Sequence, residues 1–171
     1  GMWCMSQISR PVARCVKKLL SLRGPSPMSK DRNATTAPLM TASRAGEDPI
    51  GAEVVTGNFF QALGVRPALG RGLMSSDDPP GAVPVAVVSW PYWKKHFNGE
   101  GRVLGSAIEI TDTRVGVPMH VTVIGVAEQG FSGIVAGYGT DVWISLSAVP
   151  DQMRSRVSLA LVARLEPRAS I

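Results

Sequence analysis

Polar and apolar residues alternate most clearly in the second half of the chain. Ile108 and Ile110 flank Glu109, and Val121 and Val123 flank Thr122. Period-2 patterning of this kind marks strands with one wet face. Ala107–Thr111 and Met119–Val126 are therefore predicted to form a hairpin around Asp112–Pro118. Val85–Val88 is instead a continuous apolar run, which predicts a strand buried on both faces. Two more strands are expected over Asp141–Leu146 and Val157–Leu165, and a short one over Glu53–Thr56. Helical spacing occurs twice. Asn58–Leu63 places Phe59, Phe60 and Leu63 on its buried side and ends at Gly64. Ser89 caps a second helix with Trp90, Trp93 and Phe97 on one face, Lys94 and Lys95 on the other, and Asn98-Gly99 at its end. Arg66-Pro67 to Gly72 reads as a turn-rich connector, and Ser75 to Pro84 as a polar loop. The resulting fold class is α+β, with mostly antiparallel strands and two short helices.

The first 50 residues carry a different pattern. Val12, Cys15, Val16, Leu19 and Leu22 recur at three- and four-residue spacing among Arg14, Lys17 and Lys18, a short basic amphipathic helix stopped by Gly24-Pro25. Gly24 to Pro49 is rich in Pro, Ser, Thr, Ala and Gly and reads as linker. Residues 1–50 are thus expected to be a disordered basic tail and linker, with a folded domain over 51–171. That domain is expected to be incomplete at its C-terminus, because Ile171 follows directly on a strand and the Pro167 turn.

Charge follows the same division. The chain has 171 residues, 44% hydrophobic, with a formal net charge of +5 from 18 basic and 13 acidic side chains. Eight basic and three acidic residues fall before residue 51, so that segment accounts for the whole excess, 8 − 3 = +5. The remainder is neutral and has no basic stripe interleaved with aromatics, which argues against nucleic acid as a partner. Both cysteines, Cys4 and Cys15, lie in the front segment and read as free thiols. Neither a membrane span of about 20 apolar residues nor a secretion signal is evident.

No reaction chemistry emerges from the residues. No Lys follows a Gly, so a Walker A loop is excluded. Gly99, Gly101 and Gly105 miss the dinucleotide fingerprint, and there is no GxSxG elbow. His96 reads as a solvated helix residue and His120 as a strand histidine. Asp77-Asp78, followed by Pro79-Pro80-Gly81, reads as a solvated turn, and Asp141 as a cap at the entrance to a strand. An enzyme using His120 and Asp141, or a carboxylate pair at Asp77 and Asp78, is the weaker alternative. A salt-sensitive binder of anionic lipid or nucleic acid through Arg10 to Arg32 is another.

Six segments in order carry a resemblance: VTGNFFQALGVRPALGR (55–71), VAVVSWPYWKKHFNG (85–99), VLGSAIEI (103–110), TVIGVAEQGFSG (122–133), DVWISL (141–146) and LALVARLEPR (159–168). In this order and spacing they resemble the periplasmic core domain of MacB/FtsX-type ABC transporter permeases. The resemblance implies structural roles for Gly57, Asn58, Phe59, Phe60, Gly64, Pro67, Gly70, Arg71, Trp93, Phe97, Gly105, Gly125, Val126, Gly130, Phe131, Asp141 and Trp143. It implies no catalytic residues, no cofactor and no metal. It also implies a place on the periplasmic side of the bacterial inner membrane. There such a domain is a coupling or interaction module between the membrane and ATPase parts of a transporter and an extracytoplasmic adaptor. Departures from the family are the long Asp112–Pro118 loop, Val121 in place of a common aromatic, and Ser106 in place of a common lysine. A free-standing protein derived from this domain, with a binding role, is the alternative within the same resemblance.

Overall fold

A computed structural model describes residues 33–36, 40–43, 49–112, 117–135, 138–150 and 160–163. In chain order these form β1 (Asn33–Thr36), β2 (Met40–Ser43), β3 (Ile50–Val55), α1 (Phe59–Leu63), β4 (Pro67–Gly70) and β5 (Val85–Val88). There follow α2 (Trp90–Phe97), β6 (Ala107–Asp112), β7 (Pro118–Ala127), β8 (Val142–Ser145) and β9 (Ala160–Ala163). The expected α+β class is observed. The predicted amphipathic helix at Val12–Leu22 and the two cysteines lie outside the described residues.

The sheet order is β2-β6-β7-β5-β8-β3, and β2 also pairs with β3. The six strands therefore close into a ring. Most neighbours are antiparallel, but β3–β8 and β5–β7 are parallel. Parallel neighbours need both faces covered, and β5 and β8 are buried at every position, with β3 buried at all but Gly51. Alternate residues of these strands supply two cores. Ala52, Val54, Ala86, Val88, Val142 and Ile144 join Ile108, Ile110, Met119, Val121 and Val123 inside the ring. Val55, Val85, Val87 and Trp143 point outward and pack beneath α1.

The predicted β6–β7 hairpin is observed, with Ile108 opposite Val121 and Glu109 opposite His120. Its strands run further than expected, to Asp112 and from Pro118, so the connecting loop is shorter. One extra residue sits in β7, where Ala86 pairs with Val123 but Val87 with Gly125. This bulge lets β7 serve three neighbours, β6, β5 and β4.

Both helices end as the sequence predicts. Gly64, at φ 72°, takes the left-handed turn after α1, where its N–H and that of Val65 bond back to Gln61 and Phe60 carbonyls. The Ser89 hydroxyl accepts from the Tyr92 N–H at 3.2 Å, and Asn98, at φ 52°, closes α2. Lys94 does not simply face water: its ammonium lies 4.7 Å from the Trp93 ring centre and 5.3 Å from that of Trp90.

Two readings need correction. The linker expected over residues 24–49 holds β1 and β2, and β2 supplies the seam that closes the ring. The folded unit thus begins upstream of residue 51. The connector at 66–72 likewise contains β4, which pairs with β7. Short, weakly apolar segments such as Asn-Ala-Thr-Thr and Pro-Ala-Leu-Gly have little strand propensity of their own and become strands by pairing with a preformed edge.

Candidate functional site

The densest set of interactions surrounds α1. Phe59, Phe60, Phe131 and Trp143 pack edge-on, tilted and stacked at centroid distances of 5.1 to 6.4 Å. Such pairs add about 0.5–1.5 kcal/mol each beyond area burial. Glu53 lies among them, only 1% exposed. Its Oε2 accepts from the Trp143 indole at 3.1 Å and from the Thr140 hydroxyl at 3.3 Å. A buried carboxylate is tolerated only when so satisfied, and here it fastens the loop before β8 to β3.

Two further carboxylates fasten the segment after β4. Arg71 grips Asp77 through both terminal guanidinium nitrogens, at 2.7 and 2.9 Å, and Asp77 also accepts from the Met74 N–H at 2.8 Å. The Arg71 hydrogen bonds hold the Asp77 carboxyl below the ordinary carboxylate range. Asp78 receives the Gly57 N–H on both oxygens at 2.9 Å. Burial pushes its carboxyl up, against the lowering effect of that bond. The solvated turn expected at Asp77-Asp78 is therefore incorrect: Asp77 is buried, and both side chains are fasteners. Their partners lie 6 and 21 residues away, so local sequence gave no sign of them. Gly57 completes this unit, because a Cβ there would overlap the Met74 carbonyl.

Asp141 is the fourth fastener. Its Oδ2 accepts from the Gly51 N–H at 2.9 Å, its own N–H donates to the Gly51 carbonyl, and its carbonyl accepts from Ser89 N–H. It thus joins β3, β8 and the start of α2, as expected of a strand-entrance cap. Beside it a small cleft of about 100 Å³ is lined by Ile50, Pro91, Tyr92, Lys95, His96 and Asp141. His96 stacks its ring on Tyr92 at 4.3 Å rather than standing free in solvent.

His120 is 72% exposed, with Nδ1 3.6 Å from Glu109 Oε2 across the hairpin. It does not meet Asp141. His120 lies two residues before the partner of Val85, whereas Asp141 directly precedes the partner of Val88. They sit at opposite ends of β5, roughly 20 Å apart along the strands at about 3.3 Å per residue. Asp77 is held by Arg71, away from both. Among the described residues, no three His, Cys, Asp or Glu side chains converge to hold a metal.

The remaining residues singled out from the sequence fall mostly around the same unit. The Thr56 hydroxyl donates to the Asn58 side chain at 2.9 Å. Pro67 opens β4 and Gly70 closes it against the Ile124 carbonyl. A Cβ on Gly125 would strike the Arg71 backbone, whose N–H bonds Ile124 O at 3.0 Å. Gly105 and Gly130 sit at turns of positive φ. Trp93, Phe97 and Val126 instead belong to the ring interior, with the Trp93 indole donating to Glu100 O at 2.9 Å. Sequence reasoning missed Glu53 and Tyr92. A charged residue inside an apolar strand is the signal that could have found the first.

A closed mixed barrel with an aromatic cluster clamped outside it by the carboxylates of Glu53, Asp77 and Asp78 defines an α+β domain with an inner and an outer core. The family model of the MacB-like periplasmic core domain matches residues 19–171, and the chain belongs to that family. Among solved structures, the chain is similar to the periplasmic region of MacB from Actinobacillus actinomycetemcomitans. That match has a TM-score of 0.57 at 16% identity, covering 91% of this chain and 66% of that one. The chain thus spans a little under two thirds of that region. The extracellular domain of the noncanonic ABC-type transporter YknZ from Gram-positive bacteria matches with a TM-score of 0.51 at 16% identity, over 90% of this chain and 73% of that one. A domain of a protein described as a permease from Porphyromonas gingivalis gives 0.50 and 16%, over 96% and 71%. At these identities the structures establish a shared fold. No curated protein matches the chain.

Proposed function

We propose that the chain is a non-catalytic extracytoplasmic domain of an ABC transporter permease, acting as a coupling or interaction module in transport. The family match over residues 19–171 carries this reading. The side-chain arrangement supports it: Asp77, Asp78, Asp141 and Glu53 are each committed to holding backbone or side-chain groups of the fold. His120 and Asp141, the pair an enzyme would use, lie at opposite ends of the sheet. The partners expected are the membrane and ATPase parts of the transporter and an extracytoplasmic adaptor, on the periplasmic side of the bacterial inner membrane. No helix among the described residues is long and apolar enough to cross a membrane. The residues shared with the family pattern, from Gly57 to Trp143, serve the architecture rather than a reaction.

Cross-linking of the tagged protein in its native host, followed by mass spectrometry, tests the reading. An ABC-type ATPase and a polytopic membrane protein should dominate the cross-linked species. Exclusively cytosolic partners would overturn it.

A further inference from the structure

β1 and β9 stand apart from the closed ring. Among the described residues β9 pairs only with β1, in the register Asn33↔Ala163, Ala34↔Val162, Thr35↔Leu161 and Thr36↔Ala160. β1 in turn meets the ring at a single position, Thr36 opposite Val55. Among the described residues the ribbon's other holds are the packing of β1 beside α1 and Val162, 4% exposed and part of the outer cluster with Phe59, Phe60, Phe131 and Trp143.

The antiparallel register fixes the direction in which this ribbon can be loaded. Asn33 lies beside Ala163, with Cα atoms about 5 Å apart. The segments before residue 33 and after residue 163 therefore leave from one end of the ribbon. The opposite end, at Thr36 and Ala160, is the one attached to β3. A load that separates the flanks falls on one residue pair at a time, starting with Asn33 and Ala163. Every pair within the ring, by contrast, is braced by a further strand on each side. Ring closure uses neither β1 nor β9.

We propose that the β1–β9 ribbon is a clasp that opens ahead of the barrel when the segments flanking residues 33 and 163 move apart. Opening withdraws Val162 from the aromatic cluster and uncovers part of it, while the ring stays closed. The clasp depends only on strands of this chain and holds independently of the transport reading.

The full chain, pulled by its two ends in a force spectrometer, should lengthen in two steps, the ribbon first and the barrel second. Thr35→Pro, which removes a strand N–H, should abolish the first step and leave the second. Asn33→Cys combined with Ala163→Cys places two thiols within disulfide range. After oxidation both steps should vanish, because the cross-link carries the load, and both should return on reduction. Hydrogen exchange of the unmodified chain supplies a reading that no variant can confound. Amides of β1 and β9 should exchange at least about tenfold faster than those of β5 and β8. A single lengthening step, a first step that survives Thr35→Pro, or equal exchange in ribbon and ring overturns the clasp.

Discussion

Inside the barrel, contact is made by Ile50, Val54, Val88, Ile108, Ile110, Val121, Val123 and Ile144, with Trp93 and Tyr92 of α2 closing over them. Outside it, Phe59, Phe60, Phe131 and Trp143 enclose Glu53, and the carboxylates of Asp77 and Asp78 clamp the next segment. The two cores share strands β3, β5 and β8, so their difference is not one of topology. The interior is a volume filled by similar aliphatic side chains, and aliphatic cores tolerate exchange at constant volume. The exterior is a set of directional contacts, in which ring angles, indole hydrogen bonds and close backbone approaches must all agree. Most of the residues that resemble the family pattern, among them Gly57, Phe59, Phe60, Arg71, Gly125, Phe131 and Trp143, belong to the exterior set.

Substitutions can break that contrast, and the largest loss should come from Trp143→Ala. It removes a fully buried aromatic and a donor to Glu53, and should cost about 3–5 kcal/mol in urea unfolding. Gly57→Ala comes next, at about 1–3 kcal/mol, because the new methyl must displace the Met74 backbone. Asp77→Asn should cost about 1–2 kcal/mol, moderated by the partial exposure of Arg71.

The same pair of carboxylates gives a pH signature. Asp77 has its carboxyl lowered in the fold, so its stabilisation is present above the unfolded value and is lost as pH falls through the folded one. Asp78 has its carboxyl raised, so its ionisation lowers stability as pH rises through that window, and protonation restores it. The two oppose each other. Asp78→Asn should therefore steepen the loss of stability below about pH 4, and Asp77→Asn should flatten it; unfolding curves across pH 3 to 7 distinguish them.

At the small end, Ile110→Val inside the barrel should cost only about 0.5–1.5 kcal/mol. Glu109→Gln, on the wet face of the hairpin, should change stability by less than about 0.5 kcal/mol. A loss at Ile110 as large as that at Trp143 would erase the distinction between the two cores.

Much of the architecture is legible in the pattern of residues, because it is set locally. The alternation in β6 and β7, the apolar run of β5, the Ser89 cap and the Gly64 stop each depend on a few neighbouring positions. What escapes is set at a distance. β1, β2 and β4 lack apolar periodicity and become strands only because an edge of the ring receives them. Asp77 and Asp78 look like a solvated turn because Gly57 is 21 residues away from Asp78. Tyr92 sits beside Trp93 on the buried side of α2, where the sequence assigned the face to Trp90, Trp93 and Phe97.

The parallel pairing of β3 with β8 has a consequence for how the molecule is made. Glu53 must wait for Trp143, 90 residues downstream. At a synthesis rate of about 5–20 residues per second, that interval is roughly 5–20 seconds. During it β3 has no parallel neighbour, and a buried acid has neither the indole nor the threonine that will satisfy it. Distant strand pairing of this kind is intrinsically slow and leaves sticky edges exposed. The carboxylate in β3, still in water, keeps an otherwise apolar strand soluble in the meantime.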